Sequence, residues 1–541
     1  MVKLFCAFVG VAGSALPVDI DAGQSVGDLK DAIKAKDEDG DIKCSAHKLH
    51  LFLARKDDDS WLESSTDDVK KLKKGGKTAL IEALTDEDKE LDGEFGLEDV
   101  LKGMPEPKTM QIHVLVVVPT EEATAPPRKR LKTLPVDLET PSSFAKRNVW
   151  SSFLAQDGRI ICDRVDRPED VRPLTLLNPI FSEFVGGCRG KIETTAEDAK
   201  FAEKVADAMK QYYPLEAPRA TIFRELLQSY LGIAIHCQSD QKSQNDGSIR
   251  SVKRGLLCMN LEVKVERGEG DAGMQNIGYY VHQPEFKRYS EEYEIPALLV
   301  ELEGPWLGVS AALNINGSIV HENLSPQLPL AAPNHLRQTV LLCLASLKRA
   351  VLALFDFYAQ DKLRRVPDTC LPFGCTPNYV SIKREVYANG HGRIVKFVEG
   401  RYGDTVHRFC AAKGNAPPLK KCVLTCPNGI WWRVEMEKWE LKSITEATNP
   451  DDARSQLKVL LGELRENNFV HGDLRPPNVC LYGSQEKVVL IDFDWAGVAG
   501  VDVYPYEMNP AINWPEGAHG GAKLDPAHDL EWLHRMFSPE S

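Results

Sequence analysis

Between Thr120 and Pro141 the chain carries Pro, Thr, Glu and Ala with no apolar period, so this stretch cannot join a hydrophobic core. The polypeptide must fold as separate bodies on either side of it. Length points the same way, because 541 residues exceed the roughly 250 that one core holds. Three or four domains are expected.

An apolar fraction of 43% and a charged fraction of 27% are those of a globular protein, so most of the chain can bury a core. The formal charge of −13 argues against a protein that coats nucleic acid through overall charge, and leaves local basic patches open. Thirteen cysteines show no paired or zinc-ligand spacing, which predicts a reducing working compartment. No run of 18 apolar residues exists, so no membrane insertion is expected. The start, Met1 to Ala15, has one lysine, a short apolar stretch and small residues, as a secretion signal does. It reads equally well as a strand, and the sequence leaves its cleavage open.

Lys3 to Gly10 and Ala15 to Asp21 are apolar-rich runs separated by Val11-Ala12-Gly13-Ser14, which predicts a hairpin. A helix capped by Ser25 follows, with Val26, Leu29 and Ile33 at helical spacing. Hairpin, helix and further strands are the order of a ubiquitin-like β-grasp. Within it, Leu51-Phe52-Leu53-Ala54-Arg55 resembles the LFLAK motif of Crinkler effectors, with Arg for Lys, and Trp61-Leu62 follows. His113-Val114-Leu115-Val116-Val117-Val118-Pro119 is similar to the HVLVxxP motif that ends the family's N-terminal module. The resemblance covers residues 1–119 and implies a module for delivery into host cells, with the activity carried further along. The same motifs also read as buried strands.

In the linker, residues 120–141, the cluster Arg128, Lys129, Arg130 and Lys132 fits a nuclear import signal read by an import receptor. The alternative is a solvated charge run.

In the middle region, Phe223 to Ile235 predicts a helix with Phe223, Leu226, Leu227 and Tyr230 on one face. Asp246-Gly247 opens a strand to Lys253, and Arg254-Gly255 turns into a second strand, Leu256 to Glu266. Leu257, Met259, Leu261, Val263 and Val265 share one face of that strand, while Asn260, Glu262, Lys264 and Glu266 share the other. Asp246, Glu262 and Lys264 can therefore converge, two carboxylates for Mg²⁺ and an ammonium to orient or help deprotonate a water beside a phosphodiester.

This set resembles the PD-(D/E)XK restriction-endonuclease-like superfamily, with Asn245 where the motif has Pro. The resemblance implies that Asp246 and Glu262 hold metal and that Gln275 matches a glutamine on the next helix; Glu225 is a further candidate from the preceding helix. Strands at Pro296 to Leu302 and Trp306 to Leu313, an Asn316-Gly317 turn and a helix from Leu336 to Tyr358 complete the region. The stretch also resembles a middle domain of Crinkler and fungal Crinkler-like proteins. An E-x-K triplet on a solvated strand face is the plain alternative.

Towards the C-terminus, His471-Gly472-Asp473-Leu474-Arg475-Pro476-Pro477-Asn478 matches the kinase catalytic loop H-x-D-x-x-x-x-N. A buried strand, Val488 to Ile491, delivers Asp492-Phe493-Asp494-Trp495 where kinases place D-F-G. The resemblance implies Asp473 as acceptor of a substrate hydroxyl proton, Asn478 and Asp492 as ligands of Mg²⁺ on ATP, and Lys396 as the small-lobe lysine. The departures are the absence of G-x-G-x-x-G before Lys396, Asp494 in place of glycine, and His407 where a helix glutamate is expected. A compact lobe of this kind resembles the atypical RIO and lipopolysaccharide-kinase-like branch. Asp529, on a helix after Pro526, is read as structural.

The expectation is a multidomain α+β protein: a ubiquitin-like β-grasp module, residues 1–119; a basic linker; a restriction-endonuclease-like α/β domain, residues 142–365; and a compact kinase-like domain, residues 366–541. Its expected function is that of a secreted effector reaching the host nucleus. There a Mg²⁺-dependent endonuclease acting on host DNA, coupled to the kinase-like module, promotes host cell death or suppresses immunity. The alternatives are a Ser/Thr kinase effector acting on host nuclear proteins with a docking middle domain, and a catalytically degenerate nuclear scaffold.

Overall fold

The computed structural model describes the chain apart from residues 1, 11–12, 37–45, 47–48, 57–59, 77, 86–88, 92–94, 118–139, 155–159, 165–170, 238–243, 269, 291, 316–317, 361–362, 365–371, 373–378, 384, 390–391 and 539–541. The basic cluster Arg128, Lys129, Arg130 and Lys132, most of the expected linker and the Asn316-Gly317 turn lie outside the described residues. The chain divides into two compact units, residues 1–128 and 129–541, and both mix helices with strands. Among the described residues no helix is long and apolar enough to cross a membrane.

In the first unit, β1 (Val2–Phe8) and β2 (Leu16–Ile20) form an antiparallel hairpin. Helix α1 (Val26–Ala35) follows because Ser25 closes a capping box: its hydroxyl accepts the Asp28 N–H while the Asp28 carboxylate accepts the Ser25 N–H. Strands β3 (His50–Leu53) and β4 (Val114–Val117) complete a sheet of order β2-β1-β4-β3, with β1 and β4 parallel.

The two motif segments are thus paired strands, Phe52 opposite Leu115. His113 has its own task. Its Nδ1 accepts the Phe5 N–H at 2.9 Å and Trp61 stands edge-on to its ring. Burial pushes its pKa down to about 4, so the ring stays neutral and keeps the lone pair that the bond needs.

In the second unit one hydrophobic core runs from Phe144 to Leu363. It is built on β5 (Ile160–Ile161), α2 (Pro179–Gly186), α3 (Ala196–Met209), α4 (Glu216–Leu231), β6 (Gly247–Arg250), β7 (Leu257–Lys264), α5 (Ala272–Val281), β8 (Ala297–Glu303), β9 (Trp306–Ile315), β10 (Ser318–Asn323), β11 (Leu328–Pro329) and α6 (Arg337–Ala359). The sheet order is β5-β10-β9-β8-β7-β6, with β11 also on β9. Strands β6 and β7 form the expected antiparallel hairpin. Strands β7 and β8 are parallel, a pairing that requires a crossover, and α5 supplies it.

The C-terminal region opens with a sheet of order β12-β13-β14-β16-β15, formed by β12 (Tyr379–Lys383), β13 (Val386–Asn389), β14 (Arg393–Glu399), β15 (Leu419–Leu424) and β16 (Trp431–Glu437), with α7 (Asp404–Ala412) packed on β15. Beyond it come α8 (Pro450–Glu466), the hairpin of β17 (Val479–Tyr482) with β18 (Lys487–Leu490), and α9 (Pro526–Met536). The five-stranded sheet is docked on the segment that leads into and follows α2. Arg172 donates to the Tyr387 hydroxyl at 2.8 Å, the Trp431 indole to Thr175 at 3.0 Å, and the Ile430 N–H to Ser182 at 3.0 Å.

Leu4 on β1 is fully buried with Cys6, Val18, Leu29 and Val116. Truncation to Leu4→Ala is expected to cost about 3 kcal/mol, read as a lowered urea midpoint of the first unit. An unchanged midpoint would show that β1 is not part of that core.

Candidate functional site

Asp246 ends the loop before β6, and Glu262 and Lys264 lie on β7. Their carboxylates and ammonium meet. The Lys264 ammonium donates to Glu262 Oε1 at 2.6 Å, and Asp246 Oδ2 accepts the Val263 N–H at 2.8 Å. Glu262 is 1% and Lys264 7% exposed. Removing one member of so buried a pair strands the other charge at about 3–5 kcal/mol.

The third carboxylate comes from Glu216, the first residue of α4: oxygens of Glu216, Asp246 and Glu262 all lie within 4.8 Å of one another. Glu216 also stands 3.7 Å from the Lys264 ammonium. Sequence reasoning missed it and offered Glu225, which is exposed. Nine residues on, about two and a half helical turns, a side chain leaves the opposite side of the helix. The expected helix began at Phe223, whereas α4 begins at Glu216 and stops at Gly232, in left-handed conformation. Pro218 was the available signal, since proline is tolerated in a first turn and marks it. Gln275 lies buried on α5.

Neighbouring side chains on the same face fix the strand. The Asn245 amide donates to Asn260 at 2.7 Å, Asn260 to Asn276 at 2.8 Å, and Asn276 to the Val300 carbonyl at 3.1 Å. Asn245, at the position where the resembled motif has Pro, thus ties the end of the loop to β7 and α5.

Burial pushes the Glu262 carboxyl up to about 8 against the pull of Lys264, and burial pushes Asp246 up to about 6. Burial works to lower Lys264, but the carboxylates around it leave it above the ordinary lysine value. Glu262 Oε2 is buried with no hydrogen-bond partner among the described residues. Crowded hard oxygen donors, one of them orphaned, fit a divalent cation of the Mg²⁺ type held by Glu216, Asp246 and Glu262.

The second set of expected residues gathers in the C-terminal region. Asn478 donates to the Asp473 carboxylate at 2.8 Å, and Arg475 binds both Asp473 oxygens, Nη2 at 2.8 Å. Asp529 accepts the His471 and Gly472 N–H groups at 2.7 and 3.1 Å, which holds the loop from below and gives Asp529 the structural part expected of it. His471 donates through Nε2 to the Ile491 carbonyl.

Lys396 donates to Asp492 and to both oxygens of Asp494 at 2.7 Å. Burial pushes Asp494 up to about 6. For Asp492 burial acts upward too, but Lys396 more than offsets it and leaves the carboxyl low. His407, on α7, bonds the Tyr402 hydroxyl at 2.6 Å and stacks on Phe493 at 4.4 Å. Lys396 thus finds its carboxylate partner at Asp494, not on α7. Asp492 and Asn478 are the residues that would hold Mg²⁺ on a nucleotide and Lys396 the one that would meet its phosphates, and the ammonium is engaged by Asp492 and Asp494.

Two expectations follow. Because the folded Glu262 carboxyl titrates near 8, above the unfolded value, the metal-free protein binds more protons when folded and should lose stability as pH rises from about 5 to 8. Mg²⁺ should restore it, and Glu262→Gln should make the loss smaller, leaving the part due to Asp246 and Glu301, and should weaken the Mg²⁺ effect; urea midpoints at the two pH values, with and without Mg²⁺, measure this. Separately, Asp494→Gly frees Lys396 from one ion pair and should tighten binding of a fluorescent ATP analogue by about tenfold. Weaker binding would mean that Asp494 itself supports the nucleotide.

Comparison with known proteins bears on the first unit. Residues 2–117 match the family described as the Crinkler effector protein N-terminal domain. Crinkler effector protein 8 of Phytophthora infestans is 55% identical over 126 residues, 23% of this chain and 20% of that protein. Crinkler effector protein 161 of Phytophthora sojae (strain P6497) is 40% identical over 177 residues, 29% of this chain and 40% of that protein. The chain therefore spans less than half the length of these relatives. A solved structure of the Cydia pomonella granulovirus kinase is similar over 27% of this chain and 60% of that one, at 14% identity and a TM-score of 0.23, a likeness too weak to assign a fold. The Crinkler effector family is thus supported for this chain, through its N-terminal domain.

Proposed function

We propose that the chain is a secreted effector that acts inside host cells, and that its middle region is a Mg²⁺-dependent endonuclease acting on DNA. The observation that carries the enzymatic part is the meeting of three carboxylates within 4.8 Å beside a buried ammonium. A cation bound by Glu216, Asp246 and Glu262 would polarise the scissile phosphate and lower the pKa of an attacking water. Lys264 keeps its proton, because the surrounding carboxylates hold its pKa above the ordinary value. Its part is then to orient the water and to stabilise charge on the phosphate oxygens, not to act as base. Asp246 is held ready by the Val263 N–H, which fixes its carboxylate without using up both oxygens.

The N-terminal domain supports the effector reading, and delivery into host cells is what the Crinkler resemblance implies for it. Arg128, Lys129, Arg130 and Lys132 are proposed to engage a nuclear import receptor. A second reading makes the kinase-like region the active module, acting on host nuclear proteins, with the middle region as its docking surface. It is favoured by the hydrogen-bonded pair of Asp473 and Asn478 and by the carboxylates around Lys396.

Supercoiled plasmid incubated with the purified protein, with Mg²⁺ or EDTA and with or without ATP, separates the readings. Nicking should require Mg²⁺ and fall at least about 100-fold in Glu262→Ala and in Lys264→Ala. If Glu262→Ala cuts as well as wild type, the nuclease assignment is wrong. Nicking that also needs ATP or Asp473 would place it under control of the kinase-like region. Absence of cleavage under every condition, with phosphoryl transfer lost in Asp473→Ala, would favour the second reading.

A further inference from the structure

A second polar site lies on the same sheet, next to the carboxylate centre. In the parallel pairing of β7 with β8, Glu301 stands beside Glu262 and Glu303 beside Lys264. The glycine segment that follows β7 runs between the two places: a methyl group built on Gly270 would stand 3.6 Å from Lys264 Cε, and one on Gly273 would stand 3.3 Å from Glu301 Oε1. Beyond that segment is a cavity of about 330 Å³ whose walls include Asp163, Asp271, Glu301, Glu303, Arg164 and His321.

Four carboxylates face one guanidinium, and Arg164 is already engaged, 2.5 Å from Asp271 and over the Trp150 ring. Glu301 accepts a single hydroxyl bond, from Ser310 at 2.7 Å, and burial pushes it up to about 7. Asp163 accepts the Asn323 N–H and side-chain amide. His321 is 6% exposed, yet neither ring nitrogen has a hydrogen-bond partner among the described residues. Burial pushes its pKa down to about 4, so it is neutral and offers a lone pair. A neutral imidazole has one N–H and one lone pair, both without partners among the described residues, and the lone pair, beside carboxylates that outnumber the one guanidinium, calls for a ligand that brings N–H donors.

A single bare ion is a poor match, because among the described residues only Glu216, Asp246 and Glu262 bring three such donors within 4.8 Å. The acceptors of this cavity are spread round a space several atoms wide. We propose that it binds an organic cation carrying several N–H donors, a guanidinium or alkylammonium group, through Glu301, Glu303, Asp163 and His321. Such a group belongs either to a free polyamine or to an arginine side chain of a peptide.

Calorimetric titration of the full chain, free of metal, with agmatine, spermidine and capped arginine amide tests this. Saturable one-to-one binding is expected, weakened about tenfold in Glu303→Gln and retained in Glu262→Gln. Glu303 is only partly buried, so its variant should fold; His321→Gln, checked for folding by circular dichroism, is the second variant and should weaken binding as well. Spermidine binding tighter than the arginine amide would identify a free polyamine, and the reverse order a peptide side chain. If none of the three probes saturates at millimolar concentration, or if both cavity variants bind as wild type does, the proposal is overturned.

Discussion

Buried charge on β7 sets the terms for the middle region. A carboxyl group and an ammonium almost wholly removed from water are costly unless most of their remaining lone pairs and protons find partners. The surrounding sheet is arranged to provide them. Asp246 is braced by a main-chain N–H of β7, which helps to fix the register of the edge strand β6, and a slip of β6 by one residue would carry Asp246 away from Glu262 and Lys264. The chain of amides from Asn245 through Asn260 and Asn276 to the Val300 carbonyl then fixes α5 over both parallel strands. One oxygen, Glu262 Oε2, is left without a hydrogen-bond partner among the described residues, on a residue whose carboxylate meets two others.

The C-terminal region meets the same demand by another route. Its loop at Asp473 hangs from Asp529, whose two oxygens take consecutive main-chain N–H groups, and Gly472 supplies the positive φ that points both at one carboxylate. Asp492 adopts positive φ without being glycine, a conformation that neighbouring contacts must hold in place. Lys396 supplies one such contact, and the stacking of Phe493 on His407 a second.

Much of this was legible because it is local. Alternation along Leu257 to Glu266 placed Glu262 and Lys264 on one face, and the capping serine and glycine-bearing turn marked the first hairpin and helix. Glu216 was not legible in the same way. It lies 30 residues before Asp246 in sequence, on a helix whose N-cap is Leu215 and not a capping residue, so period and capping gave it no label. Asp494 was legible only as a departure from a pattern; its role depends on the reach of Lys396 from another sheet. The cavity at His321 was invisible, because its walls come from β8, β10 and the segments next to β5 and α5, and no spacing in one dimension brings them together.

The docking of the five-stranded sheet has a mechanical meaning. Arg172, Thr175 and Ser182 hold β13, Trp431 and Ile430 from the side of the middle core, and Arg189 pairs with Glu399 at 2.7 Å. The sheet is thus fastened to its neighbour upstream as well as to the segments downstream that carry Asp473 and Asp492. The strand that carries Lys396 therefore cannot shift against the segment around α2 without breaking these bonds, so the position of the ammonium is set from the middle region as well as by Asp492 and Asp494.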